Sequence, residues 1–142
     1  MSFSNDLTMI LWKSFMPLRG KIRNTVSRDF FSLQYYPPLF FEHFDANAEF
    51  EKWAAVEVSD FEPDDIDFDH LDLEGGMYAV FDYKGNASDA AETFRYIIGT
   101  WIPSSDFDLD DRPHFEILGE RYRNNDPDSE EEIWIPVRKK KT

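Results

Sequence analysis

The stretch "TWIPSSDFDLDDRPHFEILGE" (residues 100–120) ends a helical pattern, crosses an acidic segment and enters a strand. Trp101 completes an apolar series at helical spacing, and Pro103 marks the expected end of that helix. The strand that follows, predicted over residues 114–122, carries Glu116 between two apolar residues. Because alternate side chains of a strand share a face, the Glu116 side chain is expected on the face of the strand opposite to that of Phe115 and Ile117. The position fits either a surface acid or an acid with a function.

The rest of the chain continues this mixture of helices and strands. Apolar residues at helical spacing predict a first helix over residues 6–23, which Pro17 would kink or end, and a second over residues 87–101, capped by Asn86 or Ser88. Aromatic and β-branched runs bounded by Pro, Gly or acids predict five strands at 30–37, 50–58, 76–85, 114–122 and 132–139.

These elements repeat along the chain. Each half has the order helix, strand, strand, and Trp53 in "EKWAAV" aligns with Trp134 in "EIWIPV". Ser32 aligns with Glu116, so the scaffold does not require an acid at that place. The strand at 76–85 has no counterpart ahead of the first helix. Either the first half lacks a strand or its sheet closes differently, and the match is short enough for a chance similarity.

Composition points to one folded domain. The chain has 142 residues, of which 42% are hydrophobic and 17% aromatic, with 14 Phe, 6 Tyr and 4 Trp. That length supports a single core, and the aromatic content exceeds that of a solvated linker or a disordered acidic tail. We therefore expect one α+β domain with unusually bulky apolar side chains.

Charge and cysteine usage exclude several classes of function. The formal net charge is −14, which repels phosphate backbones and makes nucleic acid an unexpected partner. The absence of cysteine excludes disulfides and thiolate catalysis. No apolar run has the length of a membrane span, and the N-terminus lacks the pattern of a signal peptide. These features predict a cytoplasmic protein that contacts no membrane.

The acidic runs do not match metal-binding loops. The segment "DIDFDHLDLEGG" (residues 65–76) has aspartates at alternate positions, as a calcium loop does, but carries His70 where glycine is needed and Gly76 where glutamate is needed. The run "DFDLDD" (residues 106–111) fails the same test, and the three histidines show no ligand spacing. We predict solvated acidic loops and no metal or cofactor.

The excess of aromatic residues suggests a ligand cleft between the two halves. A carboxylate in such a cleft is partly desolvated, which raises its pKa, and it favours a cation that also offers flat apolar surface to aromatic rings. Glu116 is the candidate carboxylate, and the alternative is one surface acid among 29. The candidate lining residues are Tyr36, Trp53, Tyr78, Trp101 and Trp134.

Three motifs in the second half resemble a known family. "GGMYAVFDYKG", "IIGTWIPSSDFDLDDRPHFEIL" and "DPDSEEEIWIPV" are similar to the GyrI-like small-molecule-binding domain, the effector-binding domain of AraC-type regulators. "LWKSFMPLRGKI" and "EFEKWAAVEV" resemble the first half of stand-alone members. The resemblance implies one domain over residues 1–142 with two strand-helix-strand-strand modules, at about 1–59 and 76–139. The modules have antiparallel sheets, a pseudo-twofold relation and a ligand cleft between them, and the first strand is missing here.

The resemblance also implies a site. In multidrug-responsive members a buried glutamate and surrounding aromatics bind lipophilic cations, and by motif position that glutamate is Glu116. Tyr78 and Trp101 match family positions as well. Family regulators carry a helix-turn-helix domain ahead of this one. This sequence has no such segment, so direct DNA binding is not expected here. A protein partner or a second copy of the chain is expected to cover the sheet edge that the missing strand leaves exposed.

Three function classes follow from the resemblance. The first is a stand-alone module that sequesters or senses a lipophilic cation. The second is a hydrolase of cyclopropane-containing genotoxins, in which Glu116 is the general base and Trp101 helps to hold the substrate. The third is an acidic, protein-binding inhibitor of the kind that engages DNA gyrase.

Overall fold

The computed structural model describes residues 1–61, 68–86, 89–124 and 126–141. Asp65 and Asp67 of the first acidic run lie outside these ranges, and so does Ser88, one of the two predicted caps. The elements, in chain order, are helix α1 (Thr8–Phe15), a 3₁₀ segment (Met16–Lys21), β1 (Phe30–Tyr35), β2 (Glu51–Ala55), β3 (Tyr78–Lys84), α2 (Ala91–Tyr96), a π-helical segment (Ile97–Trp101), α3 (Ile102–Ser104), β4 (Phe107–Leu109), β5 (His114–Leu118) and β6 (Glu130–Lys139).

The strands form an antiparallel sheet that confirms the α+β class. Its order is β2-β1-β5-β6-β3, and β4 pairs with the end of β6. At the start of β2, the Met1 amino group donates to the Phe50 carbonyl at 3.2 Å, and the Phe50 N–H donates to the Met1 carbonyl at 2.9 Å. The first residues of the chain are thereby fastened beside the strand β2.

Both proline positions shape the helices. As predicted, α1 ends ahead of Pro17, and the chain continues as a 3₁₀ segment. The second helix reaches Ser104, one residue beyond Pro103, and it is widened to a π-helix over Ile97–Trp101. Proline provides no N–H for the carbonyl one turn earlier, and a widened turn ahead of it accommodates that loss. The sequence pattern predicted a regular helix there, which is wrong for this turn.

The second acidic run contains a strand, so the prediction of a solvated loop is wrong for Phe107–Leu109. Phe107 and Leu109 pack against the core, and Asp108 between them is exposed. This alternation is typical of a strand with one buried face. Three residues are too few for the alternating pattern to stand out among the four aspartates of this run.

The core lies between β3, β6 and the second helical region. Its buried residues include Ile97, Ile102, Ile133 and Ile135, and Phe94, Ile98 and Trp101 pack around them. Near the opposite edge of the sheet, α1 contacts β2, and the Trp12 ring meets the Phe30 ring edge-on with 6.0 Å between their centroids. None of the helices in the described ranges is long and apolar enough to cross a membrane.

Candidate functional site

Glu116 lies near the middle of the sheet. It is in β5, directly opposite Ser32 of β1 on one side and Ile133 of β6 on the other. Directly paired residues of an antiparallel sheet project to the same face. Glu116 therefore shares a face with Ile133, which is buried under the second helical region.

Both helical regions lie on this face and flank β5. Phe30, two residues before Ser32 in β1, shares the face and contacts Trp12 of α1. Helix α1 is thus above β1 and β2, and α2 is above β6 and β3, with β5 between them. We call the strip between the helices the interhelical groove. Its floor is formed by the side chains of Ser32, Gln34, His114 and Glu116.

The Glu116 carboxylate is desolvated and incompletely paired. Its Oε2 atom is inaccessible to solvent and has no hydrogen-bond partner among the described residues. Burial raises the pKa of Glu116 to about 7, while the charge of Lys52 acts to lower that pKa and the charge of Glu131 to raise it. Such a group can attract a buried cation or exchange a proton near neutral pH.

The neighbours of Glu116 on the floor are neutral. Burial lowers the pKa of His114 to about 3, so its imidazole is uncharged at physiological pH. Burial and the Glu116 charge raise the pKa of Tyr36, so its phenol stays protonated. Ser32 and Gln34 are buried polar groups without charge. The groove floor surrounds one titratable acid with dipoles.

An aromatic wall stands at one end of the groove. The Tyr36 ring lies 4.9 Å from the His114 ring at nearly a right angle. It also packs against Phe40, Phe41 and Phe50, with ring centroids 4.8 to 4.9 Å apart. We call Tyr36 and these three phenylalanines the aromatic wall. A flat, apolar cation is the kind of ligand that a carboxylate beside aromatic rings recognises best.

Three of the predicted lining residues lie on the opposite face of the sheet. Register places Trp53 opposite Leu33, and Phe115 opposite both Leu33 and Trp134. Trp134 stacks on Phe115 at 5.3 Å, and Tyr78 lies 5.6 Å from Trp134. The sheet separates these aromatic rings from Glu116, so one small ligand cannot contact both sets.

Trp101 lies at the edge strand, away from Glu116. Its ring meets Phe81 edge-on at 5.1 Å. The two rings help to line an open depression of about 290 Å³ along the outer side of β3, together with Met77, Phe107 and Val137. Phe81 pairs with Ile133, which separates it from Glu116 by one strand. Of the six candidate residues, the structure brings Glu116 and Tyr36 together.

Sequence reasoning missed two charged residues on the groove face. Lys52 of β2 pairs with Gln34, and Glu131 of β6 lies two residues before Ile133. Burial raises the pKa of Glu131 to about 7, and Lys52 acts to lower it. Alternation within "EKWAAV" and "EEEIWIPV" assigns each to a face, but only the sheet order brings both to the Glu116 face.

Comparison with known proteins agrees with the fold. The family described as "GyrI-like small molecule binding domain" matches residues 19–138. A transcriptional regulator of Pseudomonas aeruginosa, BrlR, is 29% identical over 92 residues. That match covers 64% of this chain and 34% of the regulator, so the chain spans about a third of that relative's length. The similarity extends to one part of the regulator.

Proposed function

This chain belongs to the GyrI-like small-molecule-binding family, and we propose that it sequesters or senses a lipophilic organic cation in the interhelical groove. Glu116 is the charge partner in this proposal, and Tyr36 with the aromatic wall supplies the apolar contact. The observation that carries it is the inaccessible, unpaired Oε2 of Glu116 on the face that both helices flank.

The chemistry of the groove favours a cation over other ligands. A buried carboxylate oxygen without a hydrogen-bond partner, such as Oε2 of Glu116, costs free energy, and a cation placed against it recovers part of that cost. The electron-rich faces of aromatic rings attract cations but not anions, and the aromatic wall places such rings beside the groove floor. The net charge of −14 also attracts cations and repels anionic ligands over a longer range.

We also propose that the sheet is built from two modules within a single domain over residues 1–142. The sheet order supports this, because β1 and β5 pair at the centre, β2 and β6 lie outside them, and β3 follows β6. Ser32, which aligns with Glu116 in the repeat, is also its direct partner across β1 and β5. A pseudo-twofold axis between these two residues would produce this pairing. In that arrangement a counterpart of β3 in the first module would pair with β2.

A hydrolase is the second candidate function, because of the protonation behaviour of Glu116. A carboxyl group with a pKa of about 7 has the basicity that a general base needs at neutral pH. Glu116→Gln would then abolish turnover of a cyclopropane-containing substrate while substrate binding remains. If the original protein shows no turnover and Glu116→Gln loses binding, the cation-binding function is favoured over the hydrolase.

The first test compares a flat cation with its uncharged analogue. We expect Glu116→Gln to weaken binding of 10-methylacridinium by about 10- to 30-fold, since one charge-assisted contact is lost. Acridine, measured at about pH 8 where its ring nitrogen is unprotonated, should change by less than about threefold. Fluorescence titration of the purified protein measures both affinities.

The matched control is Glu51→Gln. Glu51 is exposed on β2 and lies opposite Tyr35, on the face away from Glu116. This variant should bind both dyes as the original protein does. An equal loss of both dyes in Glu116→Gln would remove the charge-partner role, and an unchanged affinity for the cation would contradict the proposed function.

A further inference from the structure

We propose that Glu131 is a second ligand-facing acid of the groove, and that an organic cation binds by displacing one proton that Glu116 and Glu131 hold between them. This inference rests on the proposed function and extends it. It assigns a binding role to a residue outside the predicted site, and it defines the ligand class as a monocation.

Geometry brings the two acids together. Glu131 and Ile133 are two residues apart in β6 and share a face, and Ile133 lies directly opposite Glu116. Glu131 is therefore the diagonal cross-strand neighbour of Glu116, with backbones about 7 Å apart, within reach of two long side chains. Glu131 is half-buried, and it pairs on its other side with the buried Tyr83 of β3.

Glu116, Glu131 and Lys52 together carry a net charge of −1 when both acids are ionised. Lys52 lies two residues from Ala54 in β2, on the same face of the sheet. Among the described residues, it contributes the one positive charge that acts on both carboxyl groups. It forms no ion pair within 4.0 Å in the part of the chain that the structure covers, so it remains at a distance from both. One lysine compensates one of the two carboxylates.

The other titratable groups around the pair provide no further compensation. Burial keeps His114 of β5 uncharged by lowering its pKa to about 3. Burial raises the pKa values of Tyr36, Tyr83 and Tyr122, and a neighbouring glutamate raises each of them further, so all three phenols stay neutral. Partial burial acts to raise the pKa of Asp6, but hydrogen bonds from Thr8 and, to a smaller extent, the charge of Lys52 lower it. Asp6 is exposed ahead of α1, where solvent screens its charge from the pair.

A proton or a cation therefore completes the charge balance. Two desolvated carboxylates that interact titrate as a pair, and near neutral pH such a pair retains about one proton between them. A monocation in the groove supplies the same charge and makes that proton unnecessary. A dication would leave the groove with an excess positive charge, so permanently charged monocations are the expected ligands.

The test is proton release measured on cation binding. Calorimetric titration with 10-methylacridinium, in two buffers with different ionisation enthalpies, should show release of roughly 0.5 to 1 proton per cation at about pH 6.5. As pH increases towards 7, the affinity for the cation should rise by up to about tenfold per pH unit, and it should level off above pH 7. In Glu131→Gln the released fraction should fall by at least about half, and affinity near pH 8 should fall about 3- to 10-fold.

Glu132→Gln is the matched control, since Glu132 is the next residue of β6 and faces the other side, where it accepts a hydrogen bond from Trp134 at 3.0 Å. It should behave as the original protein does. Lys52→Met, which removes the shared positive charge, should move the rise in affinity to higher pH. This second variant keeps the inference testable if Glu131→Gln does not fold.

The outcomes separate this inference from the proposed function. If the original protein does not bind the cation, the proposed function fails and the inference fails with it. If the cation binds, Glu116→Gln weakens it, and Glu131→Gln leaves both affinity and proton release unchanged, only the role of Glu131 is overturned. If cation binding releases a proton, and both Glu131→Gln and Lys52→Met change that release, the result supports a proton shared by Glu116 and Glu131.

Discussion

Arg112→Met is expected to lower the free energy of unfolding by about 3 kcal/mol, because it removes one partner of a buried charged network. The Arg112 Nε donates to Asp110 Oδ2 at 2.7 Å. Its Nη2 donates to the carbonyls of Met77 at 2.5 Å and Val137 at 3.2 Å. The variant leaves a half-buried carboxylate and two backbone acceptors without this donor.

A matched control exists on the same carboxylate. The Arg138 Nη1 lies 3.9 Å from Asp110 Oδ1, but the Arg138 side chain is 62% exposed, against 7% for Arg112. Arg138→Met should therefore cost less than about 0.5 kcal/mol. Urea denaturation near neutral pH measures both variants. Equal losses in the two variants would show that burial of the Arg112 network does not contribute to stability.

The effect of Arg112 should also depend on pH. The hydrogen bond from Arg112 is the largest cause that lowers the pKa of Asp110 below its usual value. A lowered pKa in the folded state stabilises the protein above the unfolded pKa, and this gain disappears as pH falls through the folded pKa. The difference between the original protein and Arg112→Met should narrow in acid for this reason.

Arg112 explains one feature of the "GGMYAVF" motif. Its guanidinium lies over the Tyr78 ring at 4.6 Å from the ring centroid, at the start of β3. A Cβ atom on Gly76 would overlap the same guanidinium. A side chain at position 76 would have to displace the guanidinium from its hydrogen bonds, so the motif encodes a close contact where the chain passes Arg112 to enter the edge strand.

Local patterns were enough to predict the elements that position Glu116. The alternation in "HFEIL" predicted that Glu116 and its apolar neighbours occupy opposite faces, and β5 confirms the strand. Apolar spacing and proline positions located both helical regions to within a few residues. These predictions succeed because each depends on residues that are close in sequence.

The grouping of side chains across strands could not be predicted in the same way. Trp53, Tyr78 and Trp134 are aromatic and align with family or repeat positions, yet pairing with Leu33 and Phe115 places them on the opposite face from Glu116. A shift of one residue in register reverses the face of a whole strand. Lys52 and Glu131 converge on the groove only through the sheet order, which no local pattern encodes.

Glu116→Gln is expected to stabilise the folded protein at about pH 8 by roughly 2 to 3 kcal/mol, with no comparable gain near pH 5. Burial raises the pKa of Glu116 from 4.5 to about 7 in the folded state. A raised pKa means that stability is fully present below the unfolded value and is lost as pH rises through the folded value. Glutamine remains neutral, so the variant does not undergo this loss.

Thermal unfolding of both proteins between about pH 5 and pH 8 measures the difference, which should reach several degrees in Tm at the upper end. Glu132→Gln, on the opposite face of β6, should show no pH-dependent gain of this size. A Glu116→Gln variant that is less stable at every pH would mean that the carboxylate is satisfied in the folded protein. A gain confined to high pH would mean that the protein keeps an acid in the interhelical groove at a cost in stability. A bound cation offsets the same cost, which joins stability to ligand binding at one side chain.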